Sequence, residues 1–394
     1  MPLTFIHTAD WHLGYMYRRL GARARDSYQW RFDAVERVFD VAQRETAQFI
    51  LVAGDVFHTA SPTREVQLQA ADVLRQTPCP IYLIPGNHDP NTTAGVWRNS
   101  PFANALTGHP LVHLLLQQEA VAMDEYQATL FPCPLQQHDA TGDPTAWIPT
   151  KDTSDGFRIG LAHGQWRGYF GAMETPSTHP IDPARTDICH LDYLAMGDYH
   201  SYTPPDHDAA ARRAYYSGTP EVTARDEARS GHALLVNIDA PQSVPQVTPC
   251  PTGTLQLCHW GEITLQPQTA LSSLEQRFAA IDDPANTIIT GTLRGVLSQK
   301  ECSDFQQWHN ELLTRVAGVD LDVAGMQAQP SAADFEELNP GMAERAIWEM
   351  LDAPFADNAL KGDYAEIIAS WSHDARARHE AQMLFYQLLN DSQP

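Results

Sequence analysis

The chain is short of several things, and each shortage narrows what it can be. No run of about eighteen apolar residues occurs in its length of 394, so a membrane-spanning helix is not expected. The N-terminus enters a polar strand end without a leader pattern, which predicts a cytoplasmic protein. The six cysteines, Cys79, Cys133, Cys189, Cys250, Cys258 and Cys302, include no Cys-x-x-Cys pair; neither a zinc knuckle nor a disulfide framework is indicated, and buried free thiols are expected. Internal repeats and low-complexity tracts are absent. Basic charge is scarce, with 26 Lys and Arg against 49 Asp and Glu for a net charge of −23. That balance speaks against a nucleic-acid partner, because phosphate binding draws on Lys and Arg to displace counterions. The distribution weakens the objection. Residues 301–394 hold 17 acidic and 5 basic residues, whereas residues 1–60 hold 7 of each sign.

With 43% hydrophobic residues the chain can bury one large core and a smaller one. The start reads as alternating strands and helices. Val35, Val38, Phe39 and Ala42 follow helical spacing, and Phe49-Ile50-Leu51-Val52 is short and apolar enough for a strand buried on both faces. A second helix is expected from about Thr63, after Ser61 as cap and Pro62, to Arg75. Further strands are expected at 120–123, 128–131, 214–217 and 232–238, with 138–155 as an exposed polar loop and a last strand at 255–265. Beyond 268 the order helix, strand, helix, strand (271–281, 287–293, 301–316, 320–328) fits a small α/β domain, and 332–389 looks helical, with Ile347, Leu351, Ile367, Ile368, Leu384, Phe385 and Leu388 as apolar stripes. The expected division is a layered α/β domain at 1–267, a capping domain at 268–330 and a helical tail at 331–394.

Five polar clusters occur in order: Asp10-Trp11-His12, Gly54-Asp55, Gly86-Asn87-His88-Asp89, His163-Gly164 and Gly197-Asp198-Tyr199-His200. Each follows an apolar run (Leu3 to Ile6, Phe49 to Val52, Ile81 to Ile84, Phe157 to Leu161, Tyr193 to Met196), so five strands should deliver them to one sheet edge. Residues two apart on extended chain share a face, which lets Asp10 with His12, and Asp198 with His200, grip one ion together. A carboxylate directly after Gly54 suits a bridging ligand, and Asn87 offers a neutral carbonyl oxygen. Oxygen mixed with imidazole favours Mn²⁺, Fe²⁺ or Zn²⁺ over an all-oxygen site. Two such ions would acidify a shared water and clamp a phosphoryl group. A lone Gly-Asp or His-Gly is common in turns; the ordered set is what carries the argument.

These motifs resemble the calcineurin-like metallophosphoesterase superfamily, whose pattern runs Asp-x-His, Gly-Asp, Gly-Asn-His-Asp/Glu, His and Gly-His-x-His. The stretches His7 to Gly14, Val52 to Phe57 and Tyr216 to Glu221 resemble the SbcD-type DNA repair exonucleases in particular, over residues 1–265. The resemblance implies a layered β-sandwich flanked by helices and two divalent ions, with Mn²⁺ preferred. Asp10, His12 and His200 would hold the first metal, Asn87, His163 and Asp198 the second, and Asp55 would bridge. It implies catalytic roles for His88, which would contact the scissile phosphate and help protonate the leaving oxygen, and for Asp89, which would orient His88. Asp198 departs from the pattern, since the superfamily has histidine there. An added negative charge strengthens cation binding, favours harder metals and leaves the shared water less acidic.

The preferred reading is a metal-dependent DNA nuclease in DNA repair. Arg18, Arg19, Arg23 and Arg25, interleaved with Tyr15, Tyr17, Tyr28 and Trp30 and followed by Arg31, are the expected DNA contacts; a solvated helix face is the plainer alternative. The other readings are a phosphodiesterase of small substrates and a DNA-binding scaffold subunit whose catalysis has weakened through Asp198. The resemblance implies a coiled-coil ABC-type ATPase subunit as partner, and a homodimer is a further candidate. His58 sits where relatives often carry Asp, so a supporting role beside the ligands stands against the plainer reading of a surface or core imidazole; the remaining histidines are assigned no chemistry.

Overall fold

The computed structural model describes residues 2–18, 20, 24–150, 156–167, 178–203, 212–224, 227, 229–352 and 374–391. The chain divides into two compact units, Met1–Leu257 and Cys258–Pro394.

The first unit is built on two facing sheets. In one, β1 (Leu3–Thr8), β2 (Phe49–Val52), β3 (Ile81–Leu83) and β4 (Val112–Leu114) run parallel in that order. The other sheet begins with β5 (Val121–Met123), antiparallel to β6 (Ala128–Cys133), and continues in parallel through β7 (Phe157–His163). Two short strands, β8 (Gln165–Trp166) and β9 (Pro180–Ile181), form a separate two-stranded sheet. β10 (Tyr193–Gly197) and β11 (Ala214–Tyr216) complete the second sheet beside β7. Finally β12 (His232–Ile238) returns antiparallel along β1, and β13 (Gln246–Pro251) forms the edge. Helices α1 (Ala24–Arg44), α2 (Arg64–Leu74) and α3 (Pro101–Leu106) accompany the first sheet, and the short α4 (Arg185–Ile188) precedes β10.

Strand alternation sorts the side chains into layers. Phe49 and Leu51 enter the core between the sheets with Phe5, Ile159, Leu161, Tyr193 and Val236. Ile50 and Val52, one residue out of phase, face the helices and meet Phe32, Val35, Val38 and Leu74. The helical spacing read at Val35, Val38, Phe39 and Ala42 is therefore a buried stripe of α1. The α2 cap is Thr63, whose side chain accepts from the Val66 amide, rather than Ser61. The stretch 138–150 contains no strand or helix, but it is not simply an exposed loop: Thr145 and Ile148 are buried, and Ile148 packs with Phe131 and Leu194 on the outer face of the second sheet. Positions 151–155 lie outside the described residues.

In the second unit, β14 (Gln256–Thr264), β15 (Thr287–Leu297) and β16 (Gly318–Ala328) form one sheet. It is backed by α5 (Ala270–Ala279) and α6 (Gln299–Arg315) through Trp260, Leu274, Ile289, Phe305 and Leu312. β14, read from the sequence as the last strand of the first domain, thus belongs to this sheet. α7 (Ala332–Glu337), α8 (Met342–Asp352) and α9 (Ala375–Asp391) follow. Ile347, Leu384 and Leu388 are exposed on them, while Ile367 and Ile368 fall outside the described residues.

One polar pair lies in the core between the two sheets. His7 of β1 and Tyr193 of β10 are fully buried, with Tyr193 Oη 3.0 Å from His7 Nδ1 and the Met196 carbonyl 3.2 Å from His7 Nε2. A neutral ring that accepts at Nδ1 and donates at Nε2 satisfies both. Burial pulls the His7 pKa from 6.5 down to about 3, the Met196 bond opposing. The ring is therefore neutral in the fold and protonates first in the unfolded chain, so this stability is complete above pH 6.5 and is lost as pH falls from there towards 3. Replacing His7 with Gln should flatten the acid slope: the stability lost between pH 7 and pH 5, from urea titrations, should shrink by about 2 kcal/mol relative to the parent. Identical slopes would contradict a buried neutral imidazole.

Candidate metal centre

All five clusters leave the carboxyl ends of parallel strands. Thr8, Val52 and Leu83 are in register across the first sheet, as are His163 and Gly197 in the second. The loops after β1 and β2 stay bonded beyond the strands, through Asp10 N–H to Gly54 O at 3.1 Å and His12 N–H to Asp55 O at 3.0 Å. The first two clusters are thereby held side by side.

Three groups of donor atoms result, one of them His12, His58 and His88. Asp10, His12 and His200 have ligand atoms all within 4.8 Å of one another, as do Asp10, Asp55 and His163. His12 Nε2 faces His200 Nε2 at 3.1 Å. Asp55 Oδ2 lies between the groups, 3.9 Å from His12 Nε2 and 3.5 Å from His163 Nε2. Asn87 Oδ1 and Asp198 Oδ1 stand 2.8 Å and 3.7 Å from the same His163 nitrogen. The backbone amide of Asp198 donates to the Asp10 carboxylate at 3.1 Å, which brings the fifth cluster onto the first.

The polar atoms fit a cation better than they fit each other. His163 Nδ1 is 2.8 Å from the Ala53 carbonyl, so it carries the proton, and burial holds the ring neutral, with a pKa lowered to about 4. Its Nε2 then presents a lone pair to three oxygens, a contact that a positive ion between them makes favourable. Likewise His200 donates from Nδ1 to Glu227 Oε1 at 2.6 Å, leaving its Nε2 lone pair aimed at His12. Asp10 and Asp55 are buried, and their carboxyl pKa values are pushed well above the usual range. Burial is the main cause in both, the charge of Asp198 adds in both, and that of Asp55 adds at Asp10. Among the described residues no lysine or arginine pairs with either.

The backbone is forced here. Asp10, His12, Asp55 and Asp198 have φ of 55°, 47°, 52° and 104°, a region costly for residues with a Cβ. Close approach explains the neighbouring glycines. At Gly54, with φ of 89°, a Cβ would lie 2.4 Å from His163 Nδ1, and at Gly86 one would lie 2.1 Å from Asp55 Oδ1.

His88 sits over the centre. Its amide donates to Asp55 Oδ1 at 2.9 Å, its Nδ1 is 3.1 Å from the His58 carbonyl, and its ring stacks on His58 at 5.4 Å. Asp89 does not orient it. The Asp89 carboxylate accepts instead from the amides of Gly86 at 2.7 Å and Phe57 at 2.9 Å, with the Trp97 indole on its carbonyl. It fixes the turn that carries Asn87 and His88, and the His58 carbonyl takes the orienting role. The cause is side-chain direction at a buried turn, which spacing does not reveal.

The arginine segment divides. Arg18 is exposed; Arg19 and Arg23 fall outside the described residues, as does the side chain of Arg25. Arg31 is buried rather than at the surface, donating to Val222 O at 3.1 Å beneath the Tyr15 ring, 5.1 Å from its centroid. Tyr28 packs against the helix-layer core and also bonds to Gln69.

Residues 3–202 match the calcineurin-like phosphoesterase family. The chain belongs to that family. It resembles an uncharacterized metallophosphoesterase of Bacillus subtilis, YhaO, at 29% identity over 209 residues, 50% of this chain and 48% of that protein. It also resembles a subunit of the nuclease SbcCD of Escherichia coli K12 at 33% identity over 90 residues, 22% of this chain and 21% of that one. A third relative, the DNA double-strand break repair protein Mre11 of Methanococcus maripaludis, is 30% identical over 90 residues, 22% of this chain and 23% of its own length. The chain thus spans about half the length of the first relative and under a quarter of the other two.

Two further residues of this phosphoesterase site lie outside the ligand pattern of the sequence. His58 lies edge-on to His12 at 5.6 Å, and Glu227 reaches His200 from a turn with no metal-type spacing. Replacing Asp89 with Ala should leave two buried amides without an acceptor and lower the unfolding free energy of the metal-free protein by about 2–4 kcal/mol in urea titration. A loss below about 0.5 kcal/mol would contradict the role of Asp89 as the anchor of this turn.

Proposed function

We propose that this calcineurin-like phosphoesterase hydrolyses phosphodiester bonds of DNA with two divalent ions, Mn²⁺ foremost. The observation that carries the reading is the convergence of four histidines, three carboxylates and one amide oxygen from the strand ends of two facing sheets, rather than from the edge of one sheet as the sequence suggested. Asp10, His12 and His200 would hold one ion, Asn87, His163 and Asp198 the other, with Asp55 shared. When bound, such ions supply an acidified water as nucleophile and neutralise charge on the phosphate.

His88 does the proton work. In the free protein, burial and the neighbouring histidines His138 and His200 lower its pKa, and its Nδ1–H is committed to the His58 carbonyl. An arriving phosphodiester anion raises its proton affinity, so the ring takes a second proton at Nε2 and can donate it to the leaving oxygen. Asp55 positions it through the His88 amide. Exposed Arg18, on the segment that follows the first cluster, is available to a DNA backbone, and the partial similarity to two DNA-processing proteins supports DNA as substrate. By the same resemblance a coiled-coil ATPase subunit is the partner we propose.

The net charge of −23 and the burial of Arg31 favour a second reading, a small phosphoester as substrate. Manganese-dependent cleavage of linear duplex and single-stranded DNA, measured beside bis-p-nitrophenyl phosphate, separates the two. Cleavage of both DNA and the small ester is expected, with His88→Ala reducing DNA cleavage on the order of 10²-fold or more. Turnover of the small ester without DNA cleavage would contradict the nuclease reading.

A further inference from the structure

The turn that follows β11 carries a carboxylate buried against the metal centre. Glu227 Oε1 accepts from His200 Nδ1 at 2.6 Å, and its Oε2 accepts from the amides of Thr223 at 2.8 Å and Ala224 at 2.9 Å. The Thr223 hydroxyl also bonds to Glu227 Oε1 and lies 3.0 Å from His200 Nδ1. The side chain of Glu227 is only 10% exposed. The turn itself is tied to the first helix and to the segment before it: Arg31 Nη2 and Tyr17 Oη both donate to the Val222 carbonyl, at 3.1 Å and 2.5 Å.

We propose that Glu227 is a positioning residue that fixes His200 as a metal ligand, holding the proton on Nδ1 so that the Nε2 lone pair points at Asp10 and His12. The inference rests on the two-ion reading of the site. A carboxylate on the far nitrogen both sets the tautomer and makes the imidazole a stronger donor. It also leaves the two ion positions unlike each other. His163 is set by a neutral carbonyl, that of Ala53, and has Asp198 beside it, whereas His200 is set by a full negative charge.

Glutamine at 227 discriminates, because two backbone amides hold one carboxylate oxygen and leave the other to His200 and the Thr223 hydroxyl. If the amide oxygen keeps the two backbone amides, the NH₂ group faces His200, Nδ1 must accept, and the proton moves to Nε2. Nitrogen-15 imidazole spectra of the metal-free protein, recorded at a pH alkaline enough for His200 to be neutral, since burial lowers its pKa but Glu227 and Asp10 together raise it, should show His200 protonated at Nδ1 in the parent and at Nε2 in Glu227→Gln. Calorimetric titration with Mn²⁺ should show affinity at one of two sites reduced about 10–100-fold, the other retained. Glu221→Gln serves as the comparison. Glu221 is buried in the same segment but bonds Arg37, Val222, Thr254 and Leu255, so this variant should lower the melting temperature while leaving the His200 tautomer and both Mn²⁺ affinities within about twofold. Retention of the Nδ1 proton in Glu227→Gln with unchanged Mn²⁺ affinities would overturn the proposal, as would equal affinity losses in the two variants. Undiminished Mn²⁺ binding by His200→Ala would instead overturn the ligand reading of His200, which the metal-free spectra do not depend on.

Discussion

The first unit is organised around a charge problem. Asp10 and Asp55 are buried at the strand ends with Asp198 beside them, and no described lysine or arginine neutralises them. Carboxylates in this setting either hold protons, which the raised pKa values express, or are balanced by cations. Burial keeps His12 and His163 neutral; at His200 burial also opposes charge, but Glu227 and Asp10 outweigh it and raise the pKa, so this one imidazole offsets part of the negative charge. The rest has to be balanced by protons or by cations from outside the chain, and the donor atoms are arranged to receive such cations.

Much of the local backbone follows from that requirement. Four acidic or histidine residues adopt positive φ so that side chains from separate strands converge, a cost that the rigid parallel sheets behind them can sustain. Gly54 and Gly86 let the loops approach to distances at which a methyl group would collide with ligand atoms. Asp89 then commits its carboxylate to two backbone amides, and the His7–Tyr193 pair links β1 to β10, the strands that carry the first and last clusters.

The sequence was informative wherever the governing pattern is local. Phe49 to Val52 reads as a strand covered on both faces because all four residues are apolar, and they divide between the sheet core and the helix layer. The five clusters were legible because each follows an apolar run whose end is defined. What escaped depended on direction and on distant partners. Asp89 is next to His88 in the chain but points to Gly86 and Phe57. Arg31 lies on the arginine-rich segment yet is committed to the Val222 carbonyl, a bond between residues 191 apart. β14 follows a Pro-rich stretch that looks like a domain end, but its ladder partner β15 is in the following unit. Glu227 sits in a turn whose spacing resembles no ligand motif, and only the fold brings it to His200.

Asp198 remains the point at which this centre differs from the superfamily pattern, since a carboxylate occupies the place of an imidazole. Its Oδ1 is 3.7 Å from His163 Nε2, close enough for one ion to be held by both. Anomalous diffraction from crystals grown with Mn²⁺ addresses this most directly. The account predicts two manganese peaks, one among Asp10, His12 and His200 and one among Asn87, His163 and Asp198, with Asp55 touching both; a single peak, or a second ion without Asp198 in its coordination, would contradict it.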